Sequence, residues 1–199
     1  MATADAPSPR RSTLAMTVLL LLGIEPLHPY ALRQRIYAWD KDRVVNVGQR
    51  NSVYQTVDRL ARSGLIEAVT PGGPRDRTVY RTTERGARTG RRWLLDLLAE
   101  PLDEYPAFPA ALAFLGALPR PTVLEALRER AASVATRLER EDAEVAEGLA
   151  AIPGGVDRIN LVEYDYLRTM RAAELAWLRG LIEELEQSGP EDGQEPAPK

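Results

Sequence analysis

The chain has 199 residues, enough for one ordinary domain or two small ones, and its 44% apolar and 28% charged residues are typical of a globular protein. It contains no cysteine and a single histidine, which excludes disulfides and cysteine-based metal sites and disfavours histidine-based ones. The phosphate-binding, dinucleotide-binding and serine-hydrolase patterns GxxxxGK[ST], GxGxxG and GxSxG do not occur. We therefore predict no metal, no cofactor and no enzymatic activity.

Charge is divided unevenly along the chain. Residues 1–99 contain 16 Lys and Arg against 9 Asp and Glu, a net charge of +7, whereas residues 100–199 contain 10 against 20, a net charge of −10. The two halves sum to the overall net charge of −3. A basic half joined to an acidic half is expected if only the first half contacts phosphates.

The first half combines helix and strand signals. Residues 1–11 are small, polar and proline-containing, which predicts a disordered arm. Ser12 or Thr13 can cap a first helix, and Gly64 can end a third helix whose apolar residues recur at helical spacing. The predicted order is a helix over 12–22, a helix over 30–39, a helix from 48 or 49 to 63, a strand over 65–69, a turn over 70–77, a strand over 78–82 and a helix that opens at Thr83 and Glu84.

The longest apolar stretch, residues 14–24, is too short to span a membrane, which needs about 20 residues. Arg10 and Arg11 precede it, as in a signal peptide, but no small-residue cleavage site follows. We therefore expect a cytoplasmic protein with no membrane partner.

The second half has an amphipathic helical pattern throughout. Residues 105–118 are strongly apolar, Thr122 can cap a long helix that ends near Pro153, and a last helix spans about 159–187. The last helix has apolar residues at a spacing of three and four, which suits helix–helix packing, and another copy of the chain is the expected partner. The residues predicted for dimerisation are Leu167, Leu175, Leu178, Ile182 and Leu185. Residues 188–199 are expected to form a disordered tail, and the acidic runs 139–142 and 183–186 are expected to be solvated helix faces.

The order of elements in 12–99 predicts a winged helix-turn-helix, in which the second helix of the pair enters the major groove. Gln and Asn side chains pair with adenine and Arg pairs with guanine, while hydroxyl groups and free N–H groups hold phosphates. An Arg-bearing hairpin turn can hold the DNA backbone as a wing. The predicted DNA contacts are Gln49, Arg50, Asn51, Ser52, Tyr54, Gln55, Arg59, Arg75 and Arg77.

Three segments together resemble the PadR family of bacterial transcriptional regulators. They are LLLLGIEPLHPYALRQRI (19–36), NSVYQTVDRLARSGLIE (51–67) and PRDRTVYRTTERGAR (74–88). The helical second half is also similar to the C-terminal dimerisation region of that family, so the resemblance covers about 12–187. Two departures concern predicted DNA-facing positions: Gln55 stands where many relatives have proline, and Arg77-Thr78-Val79 stands where many have two basic residues before the wing aromatic.

The resemblance implies a mainly α fold with a two-stranded β-wing. Its domains would be a winged helix-turn-helix domain over 12–99 and a helical dimerisation domain over 100–187. It also implies a homodimer that binds double-stranded DNA, often as a repressor, with a small-molecule effector near the dimer interface.

Two other interpretations remain open on the sequence alone. The acidic helical second half alternatively predicts a protein-interaction module without DNA binding. A cleft near Trp93, at the junction of the halves, alternatively predicts a small-molecule sensor or enzyme, and we take Trp93 as a candidate effector-binding residue although a core role is the more frequent one for such a tryptophan.

Overall fold

A computed structural model of the protein describes residues 12–47, 51–69 and 78–188. The chain forms two compact units, which divide between Glu104 and Tyr105. Each unit has its own cluster of buried apolar side chains. The fold class predicted from the sequence, mainly α with a two-stranded antiparallel sheet, is confirmed.

The N-terminal unit consists of four helices and a short hairpin. Its elements are α1 (Thr13–Ile24), α2 (Pro29–Ala38), a 3₁₀ turn (Lys41–Arg43), α3 (Ser52–Arg62), β1 (Ile66–Ala68), β2 (Tyr80–Thr82) and α4 (Glu84–Ala99). The predicted order of elements is therefore present, but α3 begins at Ser52 rather than at 48 or 49. Residues 48–50 and the predicted turn over 70–77 lie outside the described residues.

Local sequence signals explain where these elements begin and end. The Ser12 side chain accepts a hydrogen bond from the backbone N–H of Ala15, and the Thr83 side chain accepts one from Gly86, so each satisfies a free N–H group at the start of its helix. Past the end of α3, Gly64 adopts φ +64°, a left-handed conformation that is least costly for glycine.

The hairpin is joined by backbone hydrogen bonds to the loop before α2. β1 pairs antiparallel with β2, and the Cα partners run from Ile66 with Thr82 to Ala68 with Tyr80. Tyr80 also exchanges two backbone hydrogen bonds of 3.0 Å with Leu27, in the loop before α2. This bridge adds a third backbone segment to the sheet and ties the hairpin to the α1–α2 connection.

Gly86 allows α4 to start directly against β1. A Cβ atom at this position would lie 1.9 Å from the backbone oxygen of Leu65, a distance at which one of the two segments must move. The Thr-x-x-Gly sequence at 83–86 therefore has a packing reason: Thr83 caps the helix, and Gly86 permits the close approach of helix and strand.

The core of the N-terminal unit lies among α1, α2 and α3 and is closed by α4 and β1. Val53, Val57 and Leu60 of α3 are at most 1% exposed, as their spacing predicts. Burying side chains of this size stabilises a fold by about 1.5–3 kcal/mol each, so α3 is held firmly by one face. Its opposite face is left for other contacts.

The C-terminal unit is built on two long helices. Its elements are α5 (Ala107–Leu112), a 3₁₀ turn (Leu115–Ala117), α6 (Arg120–Ala150), a 3₁₀ turn (Arg158–Asn160) and α7 (Val162–Gln187). α6 starts two residues before Thr122, so the predicted Thr122 cap is wrong; Pro121 lies in the first turn, where its missing N–H costs nothing. α6 and α7 pack against each other around Val123, Leu127, Leu175 and Leu178.

Candidate nucleic-acid interface

The exposed face of α3 is the centre of the candidate interface. At about 100° of rotation per residue, four polar residues lie opposite the buried Val53, Val57 and Leu60. All four are exposed, and they are Asn51, Gln55, Asp58 and Arg62. This strip is named the outer face of α3 below.

Sequence reasoning placed some of these residues and missed others. Asn51 and Gln55 were predicted and lie on the outer face, whereas Asp58 and Arg62 were not singled out. Arg59 was predicted but is half-buried at the side of the helix. Its Nε lies buried without a hydrogen-bond partner in the described part of the chain. Helical spacing counted from the buried residues would have found Asp58 and Arg62 without a structure.

The amino end of α3 is not capped by a side chain. Asn51 occupies the N-cap position, but its side chain makes no capping hydrogen bond. The backbone oxygen of Asn51 accepts from Gln55 N–H at 2.9 Å, which starts the helical ladder. The Asn51 amide therefore keeps its donors and acceptor for a ligand, next to a helix end whose N–H groups and dipole favour an anion.

His28 connects the start of α2 to α3. Its Nδ1 accepts a hydrogen bond of 3.1 Å from Tyr30 N–H and so caps α2. The ring of His28 also lies edge-to-face with the ring of Tyr54, at 6.5 Å between centroids. Tyr54 is 42% exposed, so His28 holds one side of this ring while the other side is open to a ligand.

Tyr30 and Tyr54 place two phenol groups beside the outer face of α3. Tyr30 is 57% exposed, and its hydroxyl accepts a hydrogen bond of 2.9 Å from Gln34. Phenol hydroxyls and free N–H groups are among the common contacts to phosphate oxygens. The amino ends of α2 and α3 therefore present polar groups on the same side of the unit as His28.

The hairpin carries one defined ion pair. Arg81 Nε donates to Glu67 Oε1 at 2.7 Å across the two strands, on exposed residues. The cross-strand pairing fixes the direction in which the hairpin leaves the core. The predicted contacts Arg75 and Arg77 at its tip, and Gln49 and Arg50 before α3, lie outside the described residues.

Comparison with known proteins agrees with this geometry. Residues 18–92, from the middle of α1 to the middle of α4, match the model of the "Transcriptional regulator PadR-like family". Over these residues the chain is similar to a PadR-like transcriptional regulator domain. The proteins of this family are regulators of transcription rather than enzymes. A search of curated proteins found no match.

Three solved structures, of two different proteins, share the fold. Bacillus subtilis PadR in complex with operator DNA is 15% identical, with a TM-score of 0.68 over 87% of this chain and 99% of that one. The same protein with p-coumaric acid is 14% identical, with a TM-score of 0.68 over 88% and 99%. The virulence activator AphA of Vibrio cholerae is 19% identical, with a TM-score of 0.68 over 89% and 100%.

Trp93 lies in the core of the N-terminal unit. It is 5% exposed and belongs to the same buried cluster as residues of α1, α2 and α3. A ligand could reach this ring only by displacing core packing. The placement therefore gives no support to Trp93 as an effector-binding residue and agrees with the core role.

The residues predicted for dimerisation lie on the side of α7 that faces α6. Leu175 and Leu178 are at most 8% exposed, and Ile182 and Leu185 pack partly buried against them. Leu167 is half-buried on the same helix. In the single chain these side chains fill the core of the C-terminal unit, so substitutions there would test folding before they tested dimerisation.

A second apolar strip runs along a different side of α7. Tyr166, Met170 and Trp177 are 65%, 52% and 49% exposed, and with Val162 and Ala173 they repeat every three or four residues. Gly180 continues the strip, and a Cβ atom there would meet nothing within 4 Å. A glycine inside a helix costs about 1 kcal/mol relative to alanine, and no contact with the described residues explains it. We name these six residues the outer strip of α7.

Two adjacent carboxylates form a charged layer between α6 and α7. Glu141 is 3% exposed and accepts hydrogen bonds from Arg137, at 3.0 Å, and from Arg171. The prediction that residues 139–142 form a solvated face is therefore wrong for Glu141. Its neighbour Asp142 accepts hydrogen bonds from Tyr164 and, at 2.9 Å, from Arg168.

The pairing of Asp142 affects its titration. Hydrogen bonds from Arg168 and Tyr164 hold the pKa of Asp142 below its usual value, while burial and the bond to Asp142 raise the pKa of the Tyr164 hydroxyl. Because the folded-state pKa of Asp142 is lowered, its pairing contributes stability above the ordinary carboxyl pKa. That contribution is lost as the pH falls through the lowered value.

Across residues 12–47, 51–69 and 78–188, no three His, Asp or Glu side chains are grouped as a metal site. No helix formed by these residues has the length and apolar character needed to cross a membrane.

Proposed function

We propose that the protein is a homodimeric, sequence-specific DNA-binding repressor that a small-molecule effector releases from its operator. The outer face of α3 is the observation that carries the DNA-binding part. Its polar side chains stand opposite a closed core, and its amino end has no side-chain cap. In a winged helix-turn-helix this is the helix that enters the major groove.

The contacts would be divided between two roles. Asn51 and Gln55 on the outer face would meet base edges, with Gln49 and Arg50 before them. Ser52 and Tyr54 would hold phosphates at the amino end of α3. From the wing, Arg75 and Arg77 would hold the DNA backbone, and Arg59 would contact the groove wall from the side of the helix.

The homodimer would use the outer strip of α7. This strip exposes aromatic and apolar side chains along one helix and contains a glycine that allows close approach of a second backbone. Large exposed apolar patches of this kind mark interaction surfaces. Because the previously predicted leucines fill the chain's own core, the outer strip replaces them in this proposal.

The regulatory part is supported by the neighbouring structures. The p-coumaric acid complex of B. subtilis PadR favours a small aromatic acid as the chemical class of effector, whereas AphA of V. cholerae is an activator. A reporter fused to the bound promoter decides between the two: expression that rises when the protein is deleted supports a repressor. Expression that falls would make it an activator.

A gel-shift series with the protein's own promoter region tests DNA binding. We expect retardation at low salt and a linear fall of log K with log salt concentration, since Lys and Arg contacts release counterions from DNA. Scrambled DNA of the same length serves as the control and should bind more weakly at each salt concentration. Absence of binding to any genomic fragment, or binding that salt does not affect, would overturn the proposal.

A further inference from the structure

An acidic residue stands in the middle of the predicted DNA-reading surface. On the helical wheel of α3, Asp58 lies at the edge of the outer face beside Asn51, and along the helix axis it stands between Gln55 and Arg62. It is the seventh residue of α3, about 9 Å along the helix axis from Ser52. A residue at this position faces whatever α3 binds.

The Asp58 carboxylate is not used inside the protein. Within the described part of the chain, neither of its oxygens accepts a hydrogen bond or forms an ion pair. Arg62, one helical turn further along α3, directs its Nε instead to the backbone oxygen of Asp58, at 3.4 Å. The carboxylate thus stays fully available as an acceptor.

A free carboxylate is unfavourable near DNA phosphates, because like charges repel. On the outer face of α3 its only favourable partners in the major groove are donors on base edges. Cytosine displays the N4 amino donor, while adenine displays the N6 donor beside the N7 acceptor. A carboxylate has two acceptor oxygens and no donor, so the adenine N7 would repel its second oxygen, and cytosine is the better partner.

We propose that Asp58 reads a cytosine in each half-site and so determines part of the operator sequence. This inference rests on the proposed DNA-binding function. Asp58 would discriminate between bases but would lower the total affinity for DNA, because its carboxylate repels the DNA backbone whatever the base sequence. Gln55 and Arg62 flank Asp58 on the outer face and would meet the neighbouring base pairs.

The test uses the full-length protein and a set of operators with every single base pair substituted, measured by competition gel-shift. For the unaltered protein, one position in each half-site should require C·G, with a loss on the order of tenfold for other base pairs. Asp58→Asn should remove that requirement, shift the preference towards A·T and leave the penalties at other positions unchanged. Its affinity for non-operator DNA should rise.

Glu100→Gln is the matched control, because it removes one negative charge from the N-terminal unit outside α3. It should leave the base preferences unchanged. If Asp58→Asn raised the affinity for all operators equally, with every base preference kept, Asp58 would only repel phosphates and the inference would be wrong. If the unaltered protein bound no DNA, the proposed function would fail and this inference with it, so the two failures are distinguishable.

Discussion

Replacing both Tyr166 and Met170 by glutamate is expected to convert the protein to a monomer and to weaken operator binding by about 10²- to 10⁴-fold. Both side chains are more than half exposed on the outer strip of α7. Two carboxylates buried in an apolar interface would cost far more than they do in water. In the single chain they would remain solvated.

The loss of affinity follows from linking two binding events. A dimer places two recognition helices about 34 Å apart, one turn of DNA, so the second half-site binds at a high effective concentration. A monomer loses this gain without losing any contact on α3. Binding to an isolated half-site should therefore stay unchanged, which separates a dimerisation defect from a damaged reading surface.

Arg179→Glu provides the matched control. It also changes the charge of α7 by two negative units, at an exposed position outside the outer strip. Sedimentation equilibrium should give a dimer for this variant and a monomer for Tyr166→Glu with Met170→Glu, and both should keep the helical circular dichroism of the original. A dimer with full operator affinity in the double variant would place the interface elsewhere in the chain.

The difference between the two strips of α7 shows where sequence patterns stop being informative. Leu175 and Trp177 both recur at helical spacing, and either strip fits a helix–helix contact. Which strip is used within the chain depends on α6, which approaches from one side and buries Leu175. The choice between a chain's own core and a partner's surface is therefore a tertiary property.

The N-terminal unit was more predictable because its signals are local. Ser12, Thr83 and Gly64 act through neighbours within a few residues, and the buried face of α3 follows from spacing alone. Even there, the sequence prediction names Arg59, which lies half-buried at the side of α3, whereas helical spacing puts Asp58 on the outer face.

Glu141 represents the opposite case, a residue whose environment the sequence conceals. It belongs to an acidic run and reads as a solvated side chain. Its burial depends on Arg171, thirty positions away on α7, whose side chain is itself only 18% exposed. Only the packing of α6 on α7 brings the two charges together.

Glu141→Met is expected to lower the free energy of unfolding of the C-terminal unit by about 3 kcal/mol, because it leaves the largely buried guanidinium of Arg171 without its carboxylate. Methionine is close to glutamate in size, so the loss reports the missing charge rather than a cavity. Glu139→Met is the control, because Glu139 lies two residues earlier on the exposed side of α6. It should change the free energy of unfolding by less than about 0.5 kcal/mol. Urea denaturation followed by far-ultraviolet circular dichroism measures both.

Combining Glu141→Met with Arg171→Met separates the charge effect from packing. Replacing both members of a buried ion pair by apolar side chains of similar volume is often neutral or stabilising, whereas removing one member is not. The double variant should therefore recover most of the stability that either single variant loses, so the two single losses should be strongly non-additive. Additive losses in the double variant would show that Glu141 and Arg171 do not act as a pair, and the charged layer would then have to be assigned to Arg137 instead.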